Sequence, residues 1–491
     1  MRYDAVVIGA GPNGLVAGAI LAKHGRKVLI AESADEIGGH TRAIEFAPGF
    51  RAPLNEDCGW LPPRVAVALG LGDSLRATVP AQSMMFMGAE GRLLSLPTDA
   101  GSAANSIRQY STKDANAWPA FTDRLHKFAG LLAELYQLVP PDIDTTSINE
   151  LLPMVGVARR LRKLGRADMT EFLRVMPMSI QDLLDDTFES EPLKAAIAAS
   201  AIRDIRQGPR SGGTTFNLLH YLVGASRGSV RARPWWTDGP DVFTKAVSGI
   251  ARGAGATIRT GARVLRVDVR DHAVAGVTLD GGEEVEAPLV VSTADPKRTL
   301  LDLVDPVWLD PDFLLAVKNV KMRGCTAWVM YGTTGKPGTS TQQGFTCTVS
   351  LGSSTVALEK AADAAKYGEL SAEPHVEFFV PSQRWGKLAP EGKQAIVARV
   401  QYAPHALKGG WDATARDAVA SAATAAIARV IPAFEQSVEH RVVLSPREIE
   451  DRFGVTEGAL THGELTLDLA AHQLRWQGRP VALRPNEFRL L

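Results

Sequence analysis

The stretch Gly9-Ala10-Gly11-Pro12-Asn13-Gly14 limits what this chain can fold into more than any other feature. It fits the pattern G-x-G-x-x-G, and its flanks fit the mechanics of that pattern. Tyr3 to Ile8 is a short apolar run suited to a strand buried on both faces. Leu15 to His24 reads as a small-residue helix halted by Gly25, and Lys27 to Ala31 as a second strand ending in Glu32. In such a βαβ unit Gly9 permits the tight turn, Gly11 lets backbone approach a pyrophosphate, and Gly14 lets helix and strand pack closely. The whole turn, with Ala10, Pro12 and Asn13, is the expected phosphate-binding backbone, backed by the positive end of the helix dipole. Glu32 stands where a carboxylate binds ribose hydroxyls, with Ser33 beside it. A dinucleotide is the expected ligand.

The kind of dinucleotide rests on a second glycine pair, Gly38-Gly39, followed by His40-Thr41-Arg42. This resembles the second glycine turn of flavoproteins of the glutathione-reductase-like superfamily, which passes beside the FAD pyrophosphate. The resemblance implies FAD as cofactor. An Arg often follows the pair in that family; here His40 takes the place and Arg42 lies two positions on.

A length of 491 residues implies two or three domains. Lys+Arg and Asp+Glu number 54 each, so no global field recruits nucleic acid or an anionic membrane. Cys58, Cys325 and Cys347 form no C-x-x-C pair. A disulfide framework, a zinc site and the redox dithiol of disulfide reductases are therefore not expected, and no metal ligands are assigned. No run of about 18 apolar residues suggests a membrane span. With no signal peptide before the first strand, a cytoplasmic location is the expectation and a mitochondrial one the alternative.

Further on, residues 43–63 read as loop and turn from Pro48, Gly49, Pro53, Gly59, Pro62 and Pro63. Residues 102–222 read as mostly helical, with apolar spacing over Asn116 to Val139, Met169 to Leu183 and Pro192 to Ile205. Pro140-Pro141 and the basic run Arg159 to Lys163 interrupt them. Asp241 to Arg252 reads as a helix, and Thr257 to Val267 as strand–turn–strand. A hairpin is expected around Asp280-Gly281-Gly282, then a buried strand over Leu289 to Asp295.

The order helix, G-A-x-I-R-T-G-A-x-V, hairpin, V-V-S-x-A-D-P is similar to the phytoene desaturase-like flavoproteins. It is most similar to the branch called pyridine nucleotide-disulfide oxidoreductase domain protein 2. The blocks Gln401 to Lys408, Ser445 to Glu450 and His462 to Asp468 resemble the same branch. The resemblance implies that Val264 presents its backbone to the FAD adenine and that Thr293-Ala294 lies near the cofactor. Asp238-Gly239-Pro240-Asp241 departs from the family's G-G-M-G. The family also continues into a Gly-rich segment closing over the flavin. Here Leu467 to Leu491 instead resembles the start of a winged-helix response-regulator domain without its recognition helix. Weak FAD retention, or none, is the corresponding expectation, with no nucleic-acid binding.

The expected architecture is α/β: a Rossmann-like FAD-binding domain of the glutathione-reductase-like type with an α+β substrate or cap domain. Residues 1–75 and 231–305 form the first, 76–230 a largely helical cap, 306–462 the second part of the substrate domain, and 463–491 an atypical tail. The implied activity is FAD-dependent oxidation of an unknown, lipophilic substrate, with no catalytic acid or base assignable. An amine oxidase is a second reading, its aromatic cage resting on Trp235-Trp236. A non-catalytic flavin protein working through a protein partner is the third.

Overall fold

Apolar runs too short for helices and rich in Val and Ile build the first sheet of the computed structural model, which describes residues 1–72, 75–138, 148–335, 345–460, 475–476 and 479–480. Four parallel strands lie in the order Val290–Ser292, Ala5–Ile8, Val28–Ala31 and Thr257–Arg259. The first three are buried throughout. Alternation along Ala5–Ile8 divides two cores, as strand geometry requires. Ala5 and Val7 pack with Leu15 and Ala19 of the helix Pro12–Lys23 and with Val247 of the helix Val242–Gly253. Val6 and Ile8 face Val264, Val277 and Val285 of an antiparallel three-stranded sheet, Val264–Arg270, Ala273–Leu279 and Glu284–Glu286. The expected hairpin is therefore present, and the strand–turn–strand expected over Thr257 to Val267 appears as two strands in different sheets.

A seven-stranded sheet forms the second unit. Its order is Val438–Leu444, Thr326–Thr333, Gln394–Gln401, Val376–Phe379, Thr348–Leu351, Gln82–Met87 and Leu93–Pro97. Only the pairing of Thr348–Leu351 with Gln82–Met87 is parallel. Met84 and Phe86 point into a helical layer that includes Thr112–Leu135, Glu191–Ala201 and Thr214–Leu222. Met85 and Met87 point the other way, toward Val419 and Ala423 of the helix Ala413–Ala428.

Four readings change. Residues 43–63 contain a hairpin, Ile44–Ala47 with Phe50–Ala52, turning at Pro48-Gly49. Ile44, Ala52 and Leu54 are buried against Trp328 and Val397 of the large sheet, so tertiary packing extends a stretch whose prolines suggest only turns. Gln82–Met87 and Leu93–Pro97 are strands ahead of the helical region, because their alternating apolar residues fill both faces of that sheet. The helix expected over Met169 to Leu183 breaks between Val175 and Ile180, where the Ser179 hydroxyl caps the next helix. The run Arg159 to Lys163 lies inside the helix Ile148–Val175, with Arg160 paired to Glu134. Pro140-Pro141 fall outside the described residues. So does the tail reading, apart from the short antiparallel pairing of Arg475–Trp476 with Arg479–Pro480.

Two helix starts in the helical layer meet on Asp114, which is fully buried. Its carboxylate accepts the Glu189 and Ser190 N–H groups at 3.0 and 2.8 Å. Asp114→Ala removes the acceptor of both part-buried N–H groups and leaves a cavity at a fully buried site. A loss of roughly 2–4 kcal/mol is expected, read as a lower urea midpoint of the purified protein.

Candidate functional site: a two-glycine cradle and a buried arginine cluster

The first strand delivers Gly9 into a turn with φ 95°, a conformation costly for any residue with a side chain. A Cβ on Gly9 would lie 2.7 Å from the Thr293 Oγ1, and one on Gly14 only 1.9 Å from the Gly9 carbonyl oxygen. Helix and strand therefore approach at a distance that only glycine permits. Gly11 differs: a Cβ there meets nothing within 4 Å. Pro12 opens the helix at its first position, where its missing N–H costs nothing. No side chain caps this end and no acid lies in its first turn, so its backbone donors keep their positive character.

The second glycine turn is pressed onto the first. The Gly38 N–H donates to the Ala10 carbonyl at 2.8 Å, and a Gly39 Cβ would sit 3.3 Å from the Gly11 α-carbon. Gly38 and Gly39 have φ of 113° and 54°. Glu32 ties the turns to the second strand and is almost fully buried. One of its oxygens accepts the Ala10 N–H at 2.7 Å; the other accepts the Ala34 N–H at 2.9 Å and the Ser33 hydroxyl at 3.3 Å. An ionised carboxylate has about four acceptor positions, so it can still accept from a further hydroxyl. The open face at Gly11, the narrow wall at Gly39 and this carboxylate fit an adenine dinucleotide.

The remaining expected residues distribute around that cradle. The Thr293 hydroxyl donates to the Ile8 carbonyl at 2.8 Å, which holds Thr293-Ala294 against the first turn. Val264 begins its strand two residues after Ala262, whose N–H donates to the Glu32 carbonyl at 2.7 Å. His40 and Thr41 belong to a single 3₁₀ turn, Gly39–Thr41. Arg42 folds back, donating to the Glu36 carbonyl at 2.7 Å. Asp241, part of the departure from G-G-M-G, accepts the Ala43 N–H at 2.8 Å and so anchors the exit from the second turn.

Sequence reasoning missed a second feature between the large sheet and the helical layer. Glu56 accepts two hydrogen bonds from Arg203, at 2.9 and 3.1 Å, and two from Arg231, at 2.8 and 3.3 Å. Arg231 also grips both oxygens of Glu377, at 2.5 and 2.8 Å. Arg399 reaches Asp204, and Arg384 donates to the Glu56 carbonyl. These residues come from six separate stretches of chain, so no local motif marks them. The available signal is Arg399 in a strand otherwise filled with buried apolar residues, Gln394–Gln401. Burial pushes the Glu56 carboxyl upward, but Arg203, Arg231 and Arg399 together pull it well below its ordinary range. Burial likewise opposes ionisation of Glu377 and Asp204, and guanidinium groups overcome it at both. All three carboxylates are thus charged at neutral pH.

The aromatic pair is already engaged. The Arg384 guanidinium lies over the Trp235 ring at 4.3 Å, and Trp236 stacks on Phe243 with a 6° interplanar angle. Each ring thus has one face engaged, and both residues are half-buried. The cysteines are free, and burial raises the thiols of Cys58, Cys325 and Cys347 to about 12, so they stay protonated. Among the described residues no cluster of His, Cys, Asp or Glu is arranged to hold a metal, and no helix is long and apolar enough to cross a membrane.

The profile of the flavin containing amine oxidoreductases matches residues 13–445. The chain belongs to that family. It is an FAD-dependent oxidoreductase. Pyridine nucleotide-disulfide oxidoreductase domain-containing protein 2 of Rattus norvegicus is 31% identical over 495 residues, covering 95% of this chain and 85% of the rat protein. All-trans-retinol 13,14-reductase of Danio rerio is 25% identical over 311 residues, covering 59% of this chain and 47% of its own length. Putrescine oxidase shares the fold, with a TM-score of 0.58 at 16% identity over 96% of this chain and 91% of its own. The mixed α/β architecture is that of the FAD-dependent amine oxidases.

Two pH windows follow from the buried groups. Burial holds His220 neutral, lowering it from 6.5 to about 4, so the unfolded chain takes up a proton first as pH falls. Stability is expected to drop from pH 6.5 toward 4 by roughly 3 kcal/mol. Glu56, Glu377 and Asp204 have folded values below their unfolded ones. Their contribution is complete above about pH 4.5 and is lost below it. Urea midpoints measured across pH 8 to 3 check both; His220→Gln should flatten the upper limb and leave the lower one.

Proposed function

We propose that the two-glycine cradle of this flavoenzyme holds its FAD and that the enzyme dehydrogenates a C–C bond of an apolar, non-basic substrate. In this reading the backbone of Gly9 to Gly14 and of Gly38-Gly39 carries the pyrophosphate. Glu32 accepts from the adenosine ribose, Ser33 orients that carboxylate, and Val264 and Thr293-Ala294 border the adenine and pyrophosphate. His40, Thr41 and Arg42 close the turn. The cofactor supplies the hydride acceptor. What this chain's residues do is bind, orient and exclude water.

One observation carries the choice of substrate. The buried carboxylates between sheet and helices are all committed to arginines, and each ring of Trp235-Trp236 already has a partner on one face. An ammonium-bearing substrate finds no spare carboxylate among these described groups, and it meets a cluster rich in guanidinium. A neutral C–C substrate has no such conflict. The zebrafish relative is by its name a retinol reductase, which supports chemistry at C–C bonds. The fold shared with putrescine oxidase supports the amine reading instead. No nucleic-acid partner enters either reading.

Purified enzyme is to be reduced anaerobically with a panel of polyenes and terpenes, and separately with primary and secondary amines. Bleaching of the flavin absorbance by the first panel alone is the expected result; bleaching by amines, with hydrogen peroxide released in air, would reverse the choice. The cradle has its own check. Gly11→Val projects a side chain into the open face and should lower FAD content at least tenfold while circular dichroism stays unchanged. Full flavin content in that variant would sink the cradle assignment.

A further inference from the structure

The helix Ile148–Val175 is in two parts, since Gly165 takes φ 81° and ψ 164° inside it. From Val155 to Arg166 the sequence holds five basic residues, Arg159, Arg160, Arg162, Lys163 and Arg166, and no acid. At about 3.6 residues per turn, Leu161 and Leu164 share one face, and Val155, Arg159, Arg162 and Lys163 share the opposite one. The packing follows that division. Leu161 and Leu164 are half-buried against the core of the helical layer, whereas the other four are exposed, Val155 by 46%. Arg160, at the border, pairs with Glu134. Among the described residues no carboxylate pairs with Arg159, Arg162, Lys163 or Arg166.

A second, short helix stands at the same end of the layer. The Arg64 Nη1 of the helix Pro63–Leu69 donates to the Gln137 carbonyl at 2.9 Å, three residues beyond the Glu134 that Arg160 grips. Both elements therefore flank the C-terminal end of the helix Thr112–Leu135. Leu69 anchors the short helix in the core below, Val67 is left 81% exposed, and the helix contains no acid. The Lys23 ammonium donates to the Ala68 carbonyl at 2.6 Å and adds a further positive charge. A single exposed valine is ordinary on a protein surface. Here two of them lie among basic groups that flank one helix end.

We propose that this face docks on an anionic lipid bilayer, lying on its surface rather than crossing it. The guanidinium and ammonium groups meet lipid phosphates, while their methylene stems and the two valines enter the interfacial layer. Leu161, Leu164 and Leu69 stay packed on the protein. The neutral total charge of the chain does not oppose this, because physiological salt confines each charge to about 8 Å. A nucleic acid would use the cations alone and leave the valines in water. The choice of a bilayer also rests on the apolar-substrate reading, which places the enzyme where such a substrate partitions.

The test is flotation of the FAD-loaded protein with vesicles of equal parts phosphatidylglycerol and phosphatidylcholine, beside vesicles of phosphatidylcholine alone. Each basic residue at an anionic surface adds roughly fivefold to partitioning, so the anionic vesicles are expected to hold at least tenfold more protein. Molar sodium chloride is expected to release it. Replacing Arg159→Glu, Arg162→Glu and Lys163→Glu together should lower binding at least tenfold, with flavin content and melting temperature unchanged. If that variant fails to fold, Val67→Asp is the second, expected to weaken binding several-fold while keeping every cation. Equal flotation with neutral and anionic vesicles would overturn the proposal, as would wild-type binding by the variants. A DNA duplex bound more tightly than the vesicles, and lost with the three reversed charges, would assign the face to nucleic acid and overturn it too. Flotation needs no substrate, so its failure leaves the polyene and amine panels to decide the reaction. Bleaching by amines, in turn, leaves the flotation result standing.

Discussion

Helix and strand meet in this protein at a point where one carbon atom decides the arrangement. The Gly14 α-carbon faces the Gly9 carbonyl so closely that a Cβ would overlap the oxygen, at 1.9 Å. Because nothing intervenes, the helix Pro12–Lys23 leaves the strand Ala5–Ile8 along one path, and its N-terminus stands over the strand's end. Gly38 can then donate to Ala10, Glu32 can reach the same residue, and Thr293 can close the far side. Each of these contacts depends on the first approach. The open face at Gly11 is what remains after its neighbours have packed.

A second region of the molecule is organised by charge. Glu56 follows the hairpin Ile44–Ala47/Phe50–Ala52, Arg203 follows the helix Glu191–Ala201, and Glu377 and Arg399 lie on neighbouring strands of the large sheet. Their ion pairs are buried, so desolvation opposes them and apolar residues of the same volume could match or exceed their stability. The bidentate geometry at Glu56 and Glu377 recovers much of that cost and allows only one relative placement of the three stretches. Here, charge contributes position more than stability. The hairpin between the cradle and this cluster is tied to the large sheet, since the carbonyl of Leu54, just after it, accepts from Trp328 at 3.1 Å.

Residues close in sequence were readable where a local rule governs them. The strand–turn–helix of the cradle, the hairpin at Asp280-Gly281-Gly282 and the strand Val290–Ser292 follow from glycine spacing and short-range periodicity. Gln82–Met87 is different, because its run of buried methionines suits a helix as well as a strand until the neighbour Thr348–Leu351 supplies the ladder. Trp235-Trp236 looks like a binding pair in sequence. In the fold Arg384, far along the chain, occupies one ring.

By itself the sequence determined the dinucleotide unit, the flavin family and the presence of a second, larger region, because glycine backbone freedom and apolar alternation act within a few residues. Only the tertiary structure decided that a seven-stranded sheet roofs the helical layer and that Arg203, Arg231 and Arg399 converge on Glu56, Asp204 and Glu377 beneath it. Ion pairing across hundreds of residues leaves no periodic trace, and each arginine read alone is an ordinary surface residue. Their meaning comes from burial, and burial is a property of the assembled fold.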